Sequence, residues 1–315
     1  MNYYKRTADA LLKDLLDAFG AVLIEGPKWC GKTTTASQLA NSILKMQDPG
    51  MRDEYLVTAK TKPSILLNGD TPRLIDEWQD APMLWDAVRT TVDDRQVPGQ
   101  FILTGSNAVD KSQIHHSGAG RIARLRMLPM SLWESQESTG EVSLKELFNN
   151  PDYDIDGKMS KMSIEDLIFA ASRGGWPASL LARTPKAQLL VAKNYVQTIC
   201  LDDISGIDRK RRDAKLTSMI LRAYARNVST LVKKKSLIDD VISSGEVSCH
   251  VDTFDDYVSA LEKLFVIQNV SAWCPAIRSK TAIRSGVKRC FCDPSIPIAL
   301  LGLSPEALSM QLKTF

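Results

Sequence analysis

The sequence predicts an α/β fold: a core on a five-stranded parallel sheet, then a helical lid, then a smaller α+β domain of winged-helix type. Three observations predict it. Apolar residues run consecutively through Ala21-Val22-Leu23-Ile24, as in a parallel strand covered on both faces, and lead into a glycine-bracketed loop and a helical pattern. Further short apolar runs recur downstream, two of them ending in polar residues at Asp76-Glu77 and Ser106-Asn107. Beyond residue 160 the apolar residues fall at three- and four-residue spacing and end in two strand-like runs around a basic loop.

At 315 residues the chain exceeds one ordinary core, and boundaries are expected to give a core over 1–140, linker and lid over 141–213, a third domain over 214–303 and the start of another over 304–315. Forty basic against thirty-seven acidic residues leave a formal charge of +3, too little to argue for nucleic acid without a local basic patch. The start, Met1-Asn2-Tyr3-Tyr4-Lys5-Arg6, lacks a signal-peptide apolar region, and no apolar run approaches the roughly 20 residues of a membrane span. A cytoplasmic protein without membrane association is expected. The six cysteines are scattered, without C-x-x-C or zinc-ligand spacing, and read as reduced thiols.

In chain order, Leu11, Leu12, Leu15 and Leu16 mark a first amphipathic helix that Gly20 ends. After the strand 21–25 comes Gly26-Pro27-Lys28-Trp29-Cys30-Gly31-Lys32-Thr33, followed by Thr34 and a helical pattern. Two glycines let the backbone turn tightly and aim its N–H groups inward, and the helix start adds about half a positive charge. A polyphosphate fits there, with Lys32 reaching the β- and γ-phosphates and the Thr33 hydroxyl on a magnesium ion. Cys30 is open to two readings, a packed thiol or a redox-sensitive one. The helix is expected to end before Pro49-Gly50, and a second strand is expected at Ser64-Ile65-Leu66-Leu67.

Pro72-Arg73-Leu74-Ile75-Asp76-Glu77-Trp78-Gln79 reads as a short strand ending in paired carboxylates. Asp76 suits the metal and Glu77 the attacking water, strand alternation turning them to different sides. A helix over 82–95 precedes the buried strand Phe101-Ile102-Leu103-Thr104; past its end Ser106, or else Thr104, would sit beside the γ-phosphate. Gly118-Ala119-Gly120-Arg121 leads into a fifth strand over 122–127, and Arg121 is the candidate arginine finger, in cis or from a neighbouring subunit of a homo-oligomer.

These residues resemble a family of predicted ATPases of bacteria and archaea in which an AAA-type core is joined to a C-terminal domain of unknown function. The resemblance rests on Ala18 to Thr33, Pro72 to Gln79, Phe101 to Ser106, Gly120 to Arg126 and Arg173-Gly174-Gly175-Trp176-Pro177. It implies an AAA-type core of five parallel strands with a helical lid, ATP and magnesium as ligands, and phosphate-loop, metal and water-polarising roles for Gly26, Gly31, Lys32, Thr33, Asp76 and Glu77. Full members continue into a nuclease-like domain. Here the helix opened by Ser304-Pro305-Glu306 reads as the start of that domain, either cut short or belonging to a natural short form, and no nuclease activity carries over.

In the second half, a polar linker carries a short helix at 144–148, and helices over 164–171 and 186–201 make the lid, with Gly174-Gly175 as hinge or packed corner. Helices over 216–228, 237–242 and 254–265 and strands at 266–267 and 289–292 give the winged helix. Asp252, Asp255, Asp256 and Glu262 on its third helix oppose phosphate binding. The wing offers Arg278, Lys280, Arg284, Lys288 and Arg289, which together would give a salt slope of about −4.5 if all met phosphates. Docking onto the core or a partner, and plain solvation, are the other readings of that loop.

The expected function is that of a Mg-dependent ATPase acting as a motor or switch on another molecule, with a nucleotide-gated DNA-binding regulator of little turnover as the alternative. A phosphotransfer kinase fits less well, because a transferred phosphoryl group does not need Glu77 to orient water.

Overall fold

The computed structural model describes residues 3–106, 114, 116–208, 210–243, 245, 247–274 and 286–312. The N-terminal part runs α1 (Thr7–Ala18), β1 (Ala21–Glu25), α2 (Lys32–Ala36), β2 (Ser42–Lys45), α3 (Arg52–Thr61), β3 (Arg73–Asp76), α4 (Met83–Arg95), β4 (Phe101–Gly105) and β5 (Ile122–Arg126). All five strands are parallel, in the order β2-β3-β4-β1-β5, so β1 and β4 lie side by side at the centre with Glu25 opposite Gly105.

The consecutive apolar run of β1 has the cause its pattern implies. Ala21 and Leu23 join a cluster with Trp78, Leu84, Trp85 and Val88 beneath α4, while Val22 and Ile24 face Leu12 and Leu16 of α1. Burying one such side chain contributes about 1.5–3 kcal/mol, so a polar residue anywhere in 21–24 would open a face of the sheet.

Two expectations are corrected. The helix after the phosphate loop stops at Ala36, and the chain then forms β2, an edge strand of which only Leu44 is buried. Residues 64–67 are not a strand. Pro63 opens a 3-10 turn over Pro63–Ile65, and Leu66 and Leu67 turn into the cluster beneath α3 and α4. Short edge strands bury too few residues for their apolar pattern to stand out, and a run of three apolar residues fills a core corner as readily as a strand.

The remainder runs α5 (Leu144–Asn149), α6 (Ile164–Arg173), α7 (Pro177–Leu181), α8 (Pro185–Thr198), a π-helical turn (Ile199–Asp203), α9 (Ile204–Gly206), α10 (Ala214–Arg226), α11 (Lys234–Ile242) and α12 (Val251–Lys263). An antiparallel pair, β6 (Ile267–Val270) and β7 (Lys288–Phe291), then leads to α13 (Ser295–Leu300) and α14 (Pro305–Leu312). Trp176, Tyr195, Ile199 and Ile204, expected in the lid, share one hydrophobic cluster with Ile220, Leu221, Tyr224, Phe254, Leu261 and Ile296. Lid and third domain therefore pack as one unit. Gly174-Gly175 is its corner rather than an open hinge: a Cβ on Gly175 would strike the Met130 backbone, and the Gly175 N–H donates to Asp293 Oδ2 at 2.9 Å.

The N-terminal segment holds the phosphate loop from behind. The buried Arg6 guanidinium donates to Cys30 O and Leu128 O, each at 2.7 Å, and pairs with Glu134 at 3.2 Å. Burial alone would raise the Glu134 carboxyl, but the Ser131 and Thr7 N–H groups and Arg6 outweigh it and hold it below its usual value. Arg6→Met strands the carboxylate and is expected to lower the unfolding free energy by about 3 kcal/mol, read from a urea titration at pH 7. Because the folded-state value is depressed, the wild-type contribution is present above the ordinary glutamate range and is lost as pH falls below it.

Candidate functional site

The site forms where the C-terminal ends of β1, β3 and β4 meet. Gly26 and Gly31 shape the loop. A Cβ on Gly26 would overlap Met127 O, and Gly31 caps α2 at φ 99°, a conformation that favours glycine. Lys32 is buried, and its Nζ donates to Gly26 O at 3.0 Å and Pro27 O at 2.8 Å, so the ammonium lies across the mouth of the loop. Cys30 is wholly buried, and burial pushes its thiol up despite Lys32 and Arg6 nearby, which is the packed-thiol reading.

Asp76 ends β3 beside the start of α2. Its Oδ1 accepts from Thr33 Oγ1 at 2.7 Å and from Thr104 Oγ1 at 2.6 Å, so the hydroxyl and carboxylate expected on one metal ion are in contact. The all-oxygen set of Thr33 and Asp76 beside a lysine fits a magnesium ion that keeps most of its water. Glu77 leaves the strand in a left-handed conformation, φ 55°, rather than by strand alternation. Its Oε2 accepts from Ser106 Oγ at 3.1 Å and from Gln79 Nε2. Ser106 and Thr104, the two candidates past β4, thus divide the carboxylates: Thr104 on Asp76, Ser106 on Glu77.

A cleft of about 930 Å³ runs from this cluster to the C-terminal unit. Lys28, Trp29, Gly31, Lys32, Thr33 and Thr34 line it on the loop side, with Glu77 and Ser106, and Pro177, Leu181, Leu190, Val191 and Asn194 of α7 and α8 line the other. The loop also touches the C-terminal unit directly. Lys28 Nζ pairs with Asp203 Oδ1 at 2.6 Å, at the end of the π-helical turn, and the Trp29 ring lies 5.8 Å from that of Tyr195.

Arg121 does not join the cluster. Its carbonyl accepts from Ala21 N, at the start of β1, so it stands at the far end of the sheet, roughly 15 Å from the loop by strand rise. There Arg121 Nε pairs with Asp93 at 2.7 Å. The cis arginine-finger expectation is therefore corrected: the glycines preceding Arg121 lead into the bottom of β5, not toward the nucleotide side.

Of the basic wing, Arg278, Lys280 and Arg284 lie outside the described residues. Lys288 is exposed, and Arg289 Nη1 donates to Asn269 at 3.0 Å. The carboxylates of α12 are largely engaged within the chain. Asp256 meets Lys210 and Arg212, Asp255 meets Lys234, and Glu262 accepts from Asn269.

Sequence reasoning missed Gln79, Arg6, Glu134 and the Lys28–Asp203 pair. The Asp76-Glu77-Trp78-Gln79 run gave a local signal for Gln79 alone, since the Arg6–Glu134 and Lys28–Asp203 pairs each join residues more than a hundred positions apart.

Residues 18–136 match a family described as AAA domain, and residues 164–307 match a domain of unknown function, DUF8612. Two uncharacterised proteins, from Mycobacterium bovis and Mycobacterium tuberculosis, are each 24% identical over 279 residues, covering 85% of this chain and 54% of theirs. The chain spans about half the length of the curated relatives it matches. Among solved structures, the Walker-type ATPase of Pyrococcus abyssi aligns over 95% of this chain and 96% of its own, with a TM-score of 0.57 and 14% identity. That likeness concerns the fold alone, an α/β core on a five-stranded parallel sheet. No helix among the described residues is long and apolar enough to cross a membrane.

Proposed function

We propose that this chain is a Mg-dependent ATPase that works as a motor or switch on another molecule. The observation that carries the reading is the joint placement of Lys32, the Thr33–Asp76 contact at 2.7 Å and the Ser106–Glu77 contact at 3.1 Å on one cleft. The match to an AAA domain and the fold of the Pyrococcus ATPase support it.

Thr33 and Asp76 would hold the magnesium ion, whose chemistry there is to neutralise charge on phosphate oxygens. Lys32 exchanges its two loop carbonyls for the β- and γ-phosphates. Glu77 takes the proton of the attacking water, while Ser106 keeps its carboxylate turned to the end of β4. The apolar side chains of α7 and α8 offer a wall for the adenine. Because Lys28 and Trp29 already touch Asp203 and Tyr195, a change at the phosphate loop is felt first by the π-helical turn and α8, which suits a switch.

The test is a titration with Mg-ATP that follows Trp29 by comparison with Trp29→Phe. A saturable emission change present in the wild type and missing in the variant is the expected result. Calorimetry showing no binding by either protein would sink the reading.

A nucleotide-gated nucleic-acid binder is the second reading, favoured by one observation. The α12 carboxylates largely pair within the chain, while Arg222, Arg226, Lys233, Lys235 and Lys288 are exposed. Duplex DNA affinity measured with and without ATP separates the two readings. A homo-oligomer would supply any arginine finger from a neighbour, which sedimentation with and without ATP tests.

A further inference from the structure

Gln79 sits three residues past the end of β3 but comes back over it. The left-handed residue Glu77 reverses the chain, Asp80 N donates to Glu77 O at 3.1 Å, and the 3-10 turn Trp78–Asp80 carries the Gln79 side chain to the end of β4. There its Nε2 donates to Glu77 Oε2 and lies 3.5 Å from Ser106 Oγ. The other end of the amide, Oε1, is buried with no hydrogen-bond partner, against the face of Gly105 where an added Cβ would stand 3.0 Å away.

These contacts fix which way the amide faces. A carboxylate only accepts, so the NH₂ end must meet Glu77, and the carbonyl end faces Gly105 beside the Trp78 indole. Turning the amide round would set two acceptors, Gln79 Oε1 and Glu77 Oε2, against each other. The shortest contact of this amide is the one to Glu77, with Ser106 the more distant neighbour of the same NH₂ group.

We propose that Gln79 is a positioning residue for Glu77: with Ser106 it ties down Oε2, so that Oε1 is the oxygen presented to the attacking water. The inference rests on the reading of Glu77 as the water-polarising carboxylate. An untied glutamate on a left-handed residue can swing about its side-chain torsions, and a displacement of about 1 Å costs on the order of 100-fold in rate. Its effect passes wholly through Glu77, which gives it a signature that a packing role lacks.

The experiment is a double-mutant cycle on the full chain, reading steady-state phosphate release from Mg-ATP and ATP affinity by calorimetry. Q79M removes the donor without adding a charge, and the isosteric Q79E replaces it with a carboxyl group that repels Glu77. Each is expected to lower kcat by about 10- to 100-fold while ATP Kd stays within about twofold. In the E77Q background the same substitutions are expected to change the residual rate less than about twofold, because the group they position is already gone. Wild-type rates in Q79M and Q79E, a rise in kcat, or full additivity with E77Q would each overturn the proposal. If Q79M does not fold, Q79L takes its place as the uncharged variant without a donor. E77Q by itself separates the two levels. A wild-type rate in E77Q removes the reading of Glu77 and this proposal with it, whereas a stalled E77Q beside an unimpaired Q79E removes only the role of Gln79.

Discussion

Lys32→Ala is expected to weaken Mg-ATP binding by at least 100-fold. The Lys32 side chain is buried and its ammonium rests on two carbonyls of the phosphate loop, which on the proposed reading it exchanges for phosphate oxygens. A unit charge about 4 Å from a phosphate oxygen at an effective dielectric of 20 is worth about 4 kcal/mol. Giving up the two carbonyl contacts returns about 1 kcal/mol of that, and the remaining 3 kcal/mol corresponds to somewhat more than 100-fold. The competing explanation of a loss would run through stability, because without Lys32 the Gly26 and Pro27 carbonyls lose a donor. Calorimetric titration with Mg-ATP, set beside a urea titration, separates the two. Affinity lost with an unchanged urea midpoint is the expected pattern, and undiminished affinity would remove Lys32 from the binding site.

Glu77→Gln is expected to leave Mg-ATP affinity within about threefold and to lower kcat by about 100- to 10,000-fold. The substitution preserves the shape of the side chain and its reach toward Ser106, but an amide cannot take the proton of the attacking water. Asp76, which meets Thr33, is untouched, so binding and hydrolysis part company. This split between the two neighbouring carboxylates distinguishes the assignment from a general electrostatic role, because Asp76→Asn is expected to damage binding of the magnesium complex as well. Measurement is by phosphate release under saturating ATP with affinity determined separately. Equal losses in kcat and affinity would make Glu77 a ligand-binding group instead.

How much of this was legible in the sequence follows from how local each signal is. Gly26 to Thr33 could be read outright, because the turn, the lysine and the hydroxyl all lie within eight residues between a strand and a helix. Asp76 and Glu77 were legible for the same reason, although the left-handed turn at Glu77 was not, since nothing short of the fold requires it. Ser106 and Thr104 remained alternatives until the sheet set Thr104 opposite Asp76. The edge strand β2 was invisible because only Leu44 of its four residues is buried, and Ser64 to Leu67 imitated it because a core corner under α3 and α4 demands the same apolar side chains. The cis reading of Arg121 failed for want of direction: glycines before a strand say that a loop turns there, not at which end of the sheet. The α12 carboxylates were read as repelling phosphate, whereas Lys210, Arg212 and Lys234 engage two of them from elements distant in sequence.

The most direct measurement is single-turnover phosphate release from Mg-ATP by the wild-type chain, with parallel reactions in excess chelator and with Glu77→Gln. Release by the wild type that vanishes without free divalent cation, and a Glu77→Gln variant that holds ATP unhydrolysed, is the predicted result. ATP that stays bound and intact in the wild type over hours would contradict hydrolysis and leave a nucleotide-gated binder in its place.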